Sequence, residues 1–301
     1  MRQILCALLA ISGTVFAAMD NHYVLGTHGL NSAVKPDEGF VYTAVFTHYH
    51  GHSLKDSHGK SVHLVSDRHH LNINTLQNFF SFYSPLCFFG GKYGFQVNVP
   101  LTSAAMDVIG IAQSFDVQDT LRLSDIYVEP INLRYSWQWF DLFLAYGFYI
   151  PTGKCRAFDL HSTGYGSWGN MFTLAGTVFF DYCKTWSFSA YTTYEIHGQK
   201  RHFDFTPGSN LCIDWGLGKT FGQYYSLGIV GYYEQQLSAV RGNDAIFFEG
   251  KGEDRVWAVG GEFGVFVPQI DFELTLRYEQ EFGAHLRTEG STFVAVASIE
   301  F

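Results

Sequence analysis

Residues 270–282, IDFELTLRYEQEF, alternate between two chemistries. Ile270, Phe272, Leu274, Leu276, Tyr278 and Phe282 share one face, and Asp271, Glu273, Thr275, Arg277, Glu279 and Glu281 share the other. A period of two describes a β-strand that is apolar on one side and wet on the other. A soluble sandwich strand can show this pattern, but a run of roughly 10–12 residues fits a tilted membrane-spanning strand better. The rhythm returns at Trp186–His197, Leu211–Gly218, Lys92–Val99 and Tyr225–Glu234, and with weaker polarity at Phe140–Ile150 and Phe172–Asp181. Two stretches lose phase: 124–137 around Pro130, which suggests a bulge or a strand end, and Leu71–Tyr83 near Leu76.

Alternation also explains the composition. Hydrophobic residues make up 47% of the chain and aromatic residues 18%, yet the mean hydropathy is close to zero. Beyond residue 20 there is no apolar run of the ~18 residues that a spanning helix needs. The N-terminus reads as a secretory signal: Met1-Arg2-Gln3, an apolar stretch Ile4–Phe16, and small residues that place cleavage after Ala17. The expected organisation is a signal peptide at 1–17, a segment at 18–38 that lies in the periplasm or plugs the barrel, and a barrel at 39–301. A net charge of -9 argues against nucleic acid as a partner. Export permits disulfides; Cys155 and the start of the Cys212 strand fall on one membrane side, so that pairing stays open.

The connections fix the topology. Short links at 84–90, 136–139, 181–185, 222–223 and 268–269 alternate without a break with long ones at 51–62, 101–123, 151–169, 198–207, 238–254 and 283–289. Outer-membrane barrels have this asymmetry, with short periplasmic turns and long external loops. The fold expected is all-β: a transmembrane antiparallel up-and-down barrel of twelve strands in the outer membrane of a Gram-negative bacterium, with both termini periplasmic. Aromatic residues such as Trp137, Trp139, Trp186 and Tyr225 flank the short turns, as an interfacial girdle would. The last strand ends on Phe301. Such an aromatic ending is a signal for the outer-membrane barrel-assembly machinery, which with outer-membrane lipid is an expected partner.

Several segments carry a family resemblance: His22-Tyr23-Val24-Leu25-Gly26, Gly29–Ala33, Pro36, Gly39-Phe40, Ser124-Asp125, Gly147–Gly153, Gly164–Trp168 and Gly208–Gly218. With these the chain resembles the outer-membrane family labelled "MetA-pathway of phenol degradation" over nearly all of its mature length. The resemblance implies passage of aromatic compounds across the outer membrane and supplies no catalytic or binding residues. This chain departs from the family in its histidine-rich first external loop.

The wet strand faces give the lumen-lining candidates Glu195, Asp214, Glu234, Glu262, Asp271, Glu273, Arg277 and Glu279, with Tyr191 and Tyr232. Twelve strands enclose a space between the filled interior of about eight and the open channel of about sixteen. Two readings follow. One is a passive channel for an unidentified small, aromatic or hydrophobic solute, with no cofactor. The other is a structural or surface-interaction barrel whose charges form salt bridges across a closed lumen. His48 and His50 share a strand face, and His52 would join them if the strand ran past Gly51, where it is expected to end; these three are the candidates for a metal site, but no Cys or carboxylate has matching spacing, so metal-free histidines are expected. A third reading, an interfacial hydrolase, would rest on His161-Ser162, which are adjacent in sequence rather than placed two apart on a strand face.

Overall fold

The structure, a computed structural model, describes residues 21–34, 38–62, 69–108, 120–155, 163–202, 204–244 and 254–301. Twelve long strands form the wall: β1 (Gly39–Leu54), β2 (His69–Phe88), β3 (Gly91–Val108), β5 (Ile126–Ser136), β6 (Phe140–Ile150), β7 (Gly169–Phe179), β8 (Trp186–His197), β9 (Asn210–Phe221), β10 (Tyr225–Gln236), β11 (Arg255–Val267), β12 (Phe272–His285) and β13 (Thr288–Glu300). A two-residue strand, β4 (Arg122–Leu123), adds to β3. Every strand pairs antiparallel with its neighbours in the chain, β3 with β5, and β1 pairs with both β2 and β13. The β2–β3 pairing closes the ring. Closure leaves no open edge, which is the condition for strands to cross a membrane. The chain is an outer-membrane β-barrel.

The two faces of the wall sort as the alternation requires. On β12, Leu276, Tyr278 and Phe282 are exposed to the outside while Thr275, Arg277, Glu279 and Glu281 are buried within. On β9, Cys212 and Asp214 point in and Leu217 points out. Trp137, Trp139, Trp186, Tyr224 and Tyr225 are exposed at the short-turn end, in the position of a lipid-interface belt. Polar groups inside and apolar groups outside make charge placement predictable. Leu276→Arg, near mid-membrane on the outer face, should cost about 2–4 kcal/mol in barrel stability, read from urea unfolding in lipid.

Both irregular stretches have a physical explanation. The ladders of β5 shift register between Val128 and Ile131, so the strand carries a bulge at Glu129-Pro130 and does not end there. β2 keeps one inward face throughout, with Leu71, Thr75, Gln77, Ser81 and Tyr83 buried; its register shift lies lower, between Tyr83 and Cys87. The apparent loss of phase near Leu76 comes from the height of the wall. β2 and β3 run 20 and 18 residues, where about 9–11 suffice to span the bilayer. Above the lipid the outward face turns polar. There Asn72 and Asn74 pair with His50 and His48, and the inward face, polar lower down at Thr75, Gln77 and Ser81, turns apolar at Leu71 and Ile73.

The four cysteines of the described chain, Cys87, Cys155, Cys183 and Cys212, are free thiols.

Candidate functional site in the barrel lumen

Residues 21–34 run down the inside of the barrel. Asn21 Nδ2 donates to Glu234 Oε1 at 3.0 Å and to Cys212 Sγ at 2.9 Å, near the long-loop ends of β10 and β9. The Tyr23 hydroxyl donates to Asp214 at 2.7 Å. Lower down, Ser187 Oγ donates to Asn31 Oδ1 at 2.7 Å, the Ala33 N–H to Thr177 Oγ1 at 3.2 Å, and Arg134 to the Val34 carbonyl at 3.1 Å. Ser187, Thr177 and Arg134 stand at the short-turn ends of their strands. The segment therefore descends from the external end to the periplasmic end before the chain rises again as β1. Asn21 sits at the end opposite Phe301, where the sequence suggested a shared periplasmic side.

This segment forms no strand ladder, so its main-chain donors need other partners. The wall carboxylates supply them. Glu195 accepts from the His22 N–H at 3.2 Å, Asp214 from the Gly26 and His28 N–H groups at 3.3 and 3.0 Å, and Glu262 from the Leu30 N–H at 3.3 Å. Arg277 completes the arrangement: its Nε and Nη2 lie 2.8 and 2.6 Å from Glu262 Oε2, and its Nη1 donates to the Gly26 carbonyl. Gly29 passes so close that a Cβ there would overlap both Glu262 and Arg277.

The lumen candidates separate into two groups. Glu195, Asp214, Glu234, Glu262, Arg277, Glu279, Tyr191 and Tyr232 are buried inside the barrel. All but Glu279 and Tyr232 contact the N-terminal segment through a hydrogen bond or a stacked ring. Tyr232 instead donates to Glu281 at 3.0 Å. Asp271 lies elsewhere: it occupies the exposed turn between β11 and β12 with a φ of 46°. Strand β12 starts one residue later, so alternation extended past the turn misplaces it. Glu273 keeps the inward phase but is exposed at the periplasmic mouth.

The histidines of β1 do not converge on a metal. His48 and His50 face outward and bond Asn74 and Asn72, each at 2.7 Å, and His52 lies 3.4 Å from Gln280. His161 and Ser162 fall outside the described residues.

Sequence reasoning missed His22, His28, His197, Asp125 and Arg287. His22 Nδ1 is 2.5 Å from Glu195 Oε1 and its Nε2 is 3.4 Å from Asp125 Oδ2. Burial alone would lower its pKa, but the two carboxylates outweigh burial and raise it to about 9. His28 is the opposite case. Burial, helped by Arg277 and Arg134, lowers it to about 3. The neutral ring stacks on Tyr191 with centroids 3.5 Å apart, and its Nδ1 lies 2.8 Å from the Tyr23 hydroxyl. Near the external mouth Arg287 pairs with Glu234 and lies 3.5 Å from Asp254.

A cavity of about 150 Å³ remains in the external half of the lumen. Asn21–Leu25 form one side of it, and the upper parts of β1, β2 and β3 form the other, with Thr47, Tyr49, Leu71, Ile73, Pro100 and Thr102. Its apolar patches are Leu25, Leu71, Ile73 and the ring faces of Tyr49 and Tyr149.

Among solved structures, the barrel resembles an outer membrane channel from Pseudomonas putida F1, with a TM-score of 0.74 and 12% identity over 91% of this chain and 99% of that one. The translocator domain of the autotransporter NalP from Neisseria meningitidis gives 0.49 and 10% identity, covering 89% and 91%. A Pseudomonas aeruginosa FadL homologue gives 0.43 and 10%, covering 91% and 93%. The first of these shows a shared barrel fold; the other two are more distant. No curated protein sequence matches the chain. The family described as MetA-pathway of phenol degradation matches residues 51–296, most of the barrel, and the chain belongs to that family.

Proposed function

We propose that this barrel is a passive outer-membrane channel for small aromatic or hydrophobic molecules, narrowed by its own N-terminal segment acting as a plug. The carrying observation is the cavity of about 150 Å³ between that segment and the β1–β3 wall. A cavity of about this size holds one benzene ring. Much of its surface is apolar, from Leu25, Leu71, Ile73 and tyrosine rings, set among polar and charged side chains such as Gln77, Asn98, Glu281 and Arg287. One side of the cavity is a peptide segment held by hydrogen bonds to side chains. Such a segment can move without breaking the wall.

On this reading residues 1–17 are a signal peptide, 18–38 the plug and its link to β1, and 39–301 the barrel. The assembly machinery reads the strand ending at Phe301, whose N–H donates to the Phe40 carbonyl at 2.8 Å across the closing pair of strands. The second reading, a closed structural barrel, draws support from the ion pairs Arg277–Glu262 and Arg287–Glu234. Transport separates the two. Proteoliposomes containing the refolded barrel should take up benzyltrimethylammonium, an aromatic cation that lipid alone excludes, faster than protein-free vesicles. Equal rates would favour the closed barrel.

A further inference from the structure

His22, Glu195 and His197 meet at the external end of the lumen, where the start of the N-terminal segment lies against β8. Their ligand atoms all lie within 4.8 Å of one another, and all three side chains are buried. His197 Nε2 is 3.1 Å from Glu195 Oε1 but makes no hydrogen bond. Its other nitrogen, Nδ1, is 2.8 Å from the Gly208 carbonyl. With the proton on Nδ1 donated to that carbonyl, the Nε2 lone pair is turned toward Glu195. His22 is arranged in the same way. Nδ1 faces Glu195, and Nε2 faces Asp125 Oδ2 at 3.4 Å, also without a hydrogen bond. Asp125 is itself held by the Gly153 and Tyr165 N–H groups at 2.8 and 2.7 Å.

Each imidazole thus has one nitrogen toward a common point and the other toward an oxygen acceptor. Metal-binding histidines are oriented in this way, with the outer oxygen fixing the tautomer. The charge balance points in the same direction. Two carboxylates, Glu195 and Asp125, face the two nitrogens of His22. A dipositive ion offsets both.

We propose that His22 Nδ1, Glu195 and His197 Nε2 bind a divalent transition-metal ion of the Zn²⁺ class, clamping the external end of the N-terminal segment to the barrel wall. Two imidazoles and a carboxylate suit Zn²⁺. Small rotations of the rings bring all three ligand atoms to about 2.0–2.2 Å from one centre. The ion displaces the proton between His22 Nδ1 and Glu195 Oε1; with three protein ligands, Zn²⁺ takes a further donor as its fourth. Binding is a property of these three residues. Its effect on permeation rests on the plug reading.

The test uses the refolded full chain in detergent, stripped with chelator and titrated with Zn²⁺, and separately with Co²⁺ as a spectroscopic probe. We expect one ion per chain and a Co²⁺ visible spectrum of low coordination number. Both should be lost in His22→Ala and in His197→Ala and kept in His48→Ala and His50→Ala. Asp125→Asn should weaken binding by about 10–100-fold. Barrel migration on unheated gels shows whether each variant is folded, and a variant that fails that check is replaced by His→Gln at the same position. Absence of stoichiometric binding to the folded full chain, or binding that survives loss of both histidines, overturns the site. Neither result bears on the plug, which a truncated chain tests by conductance without metal.

Discussion

A chain lacking residues 18–34 should conduct at least severalfold more current per molecule in a planar bilayer than the full chain. The segment occupies the lumen from Asn21 near the external end to Val34 at the periplasmic end, and no part of the β-ladder depends on it. Its removal exposes Glu195, Asp214 and Glu262 to a water-filled passage. Water then replaces the Tyr23 hydroxyl and the N–H groups of His22, Gly26, His28 and Leu30 that these carboxylates now accept. Charged groups that regain water carry little penalty, so the truncated barrel should still fold and migrate as a barrel. Twelve strands enclose more than the side-chain-filled interior of about eight-stranded barrels. The acidic excess left in the lumen should make the current cation-selective. An unchanged conductance in a folded truncated barrel would mean that the wall's own side chains close the passage.

The second large effect is expected at Arg277. Its guanidinium ties Glu262 on β11 to the Gly26 carbonyl of the plug, with both charged side chains 4% exposed. Arg277→Leu leaves the Glu262 carboxylate without its charge partner, keeping only the Leu30 N–H. Breaking a buried pair from one side costs about 3–5 kcal/mol, while replacing both partners by apolar groups is often close to neutral. Urea unfolding should therefore show a large loss for Arg277→Leu and substantial recovery for Arg277→Leu with Glu262→Leu. The single variant should also loosen the plug, because Gly26 loses its anchor, and single-channel records should show more frequent open events. A single variant as stable and as quiet as the parent would mean that the pair neither holds the wall nor the plug.

The wall was legible in the sequence because a strand between lipid and a polar lumen has to alternate, and the alternation records which side each residue faces. The Arg277 and Glu279 positions on β12 could be read in this way, as could Asp214 on β9. The pattern misleads where its cause stops. Past the end of β12 no lipid or lumen acts on Asp271, so its apparent phase carries no meaning. On upper β2, above the lipid, Asn72 and Asn74 face outward beside the histidines of β1, and the contrast inverts. The plug has no period at all. Its residues are selected by individual contacts, such as Gly29 against Arg277 and His28 against Tyr191, and these can be seen only when the ring is closed. The glycine-rich stretch from Gly26 to Ala33 was a visible signal, but it named neither a location nor a partner. The His22–Glu195–His197 group joins residues 173 positions apart across that ring, and no spacing rule could have assembled it.

On the channel reading, an aromatic molecule enters the lumen through the cavity beside Leu71, Ile73 and Tyr49. Single-channel current through the refolded full chain, recorded while phenol is added on the external side, tests this most directly. Brief interruptions of the open current are expected, with a frequency that rises with phenol concentration and that a sugar of similar size does not produce. Ile73→Glu, which places a charge in the cavity, should remove them. An open current that phenol leaves steady, or interruptions unaffected by Ile73→Glu, would contradict the channel reading.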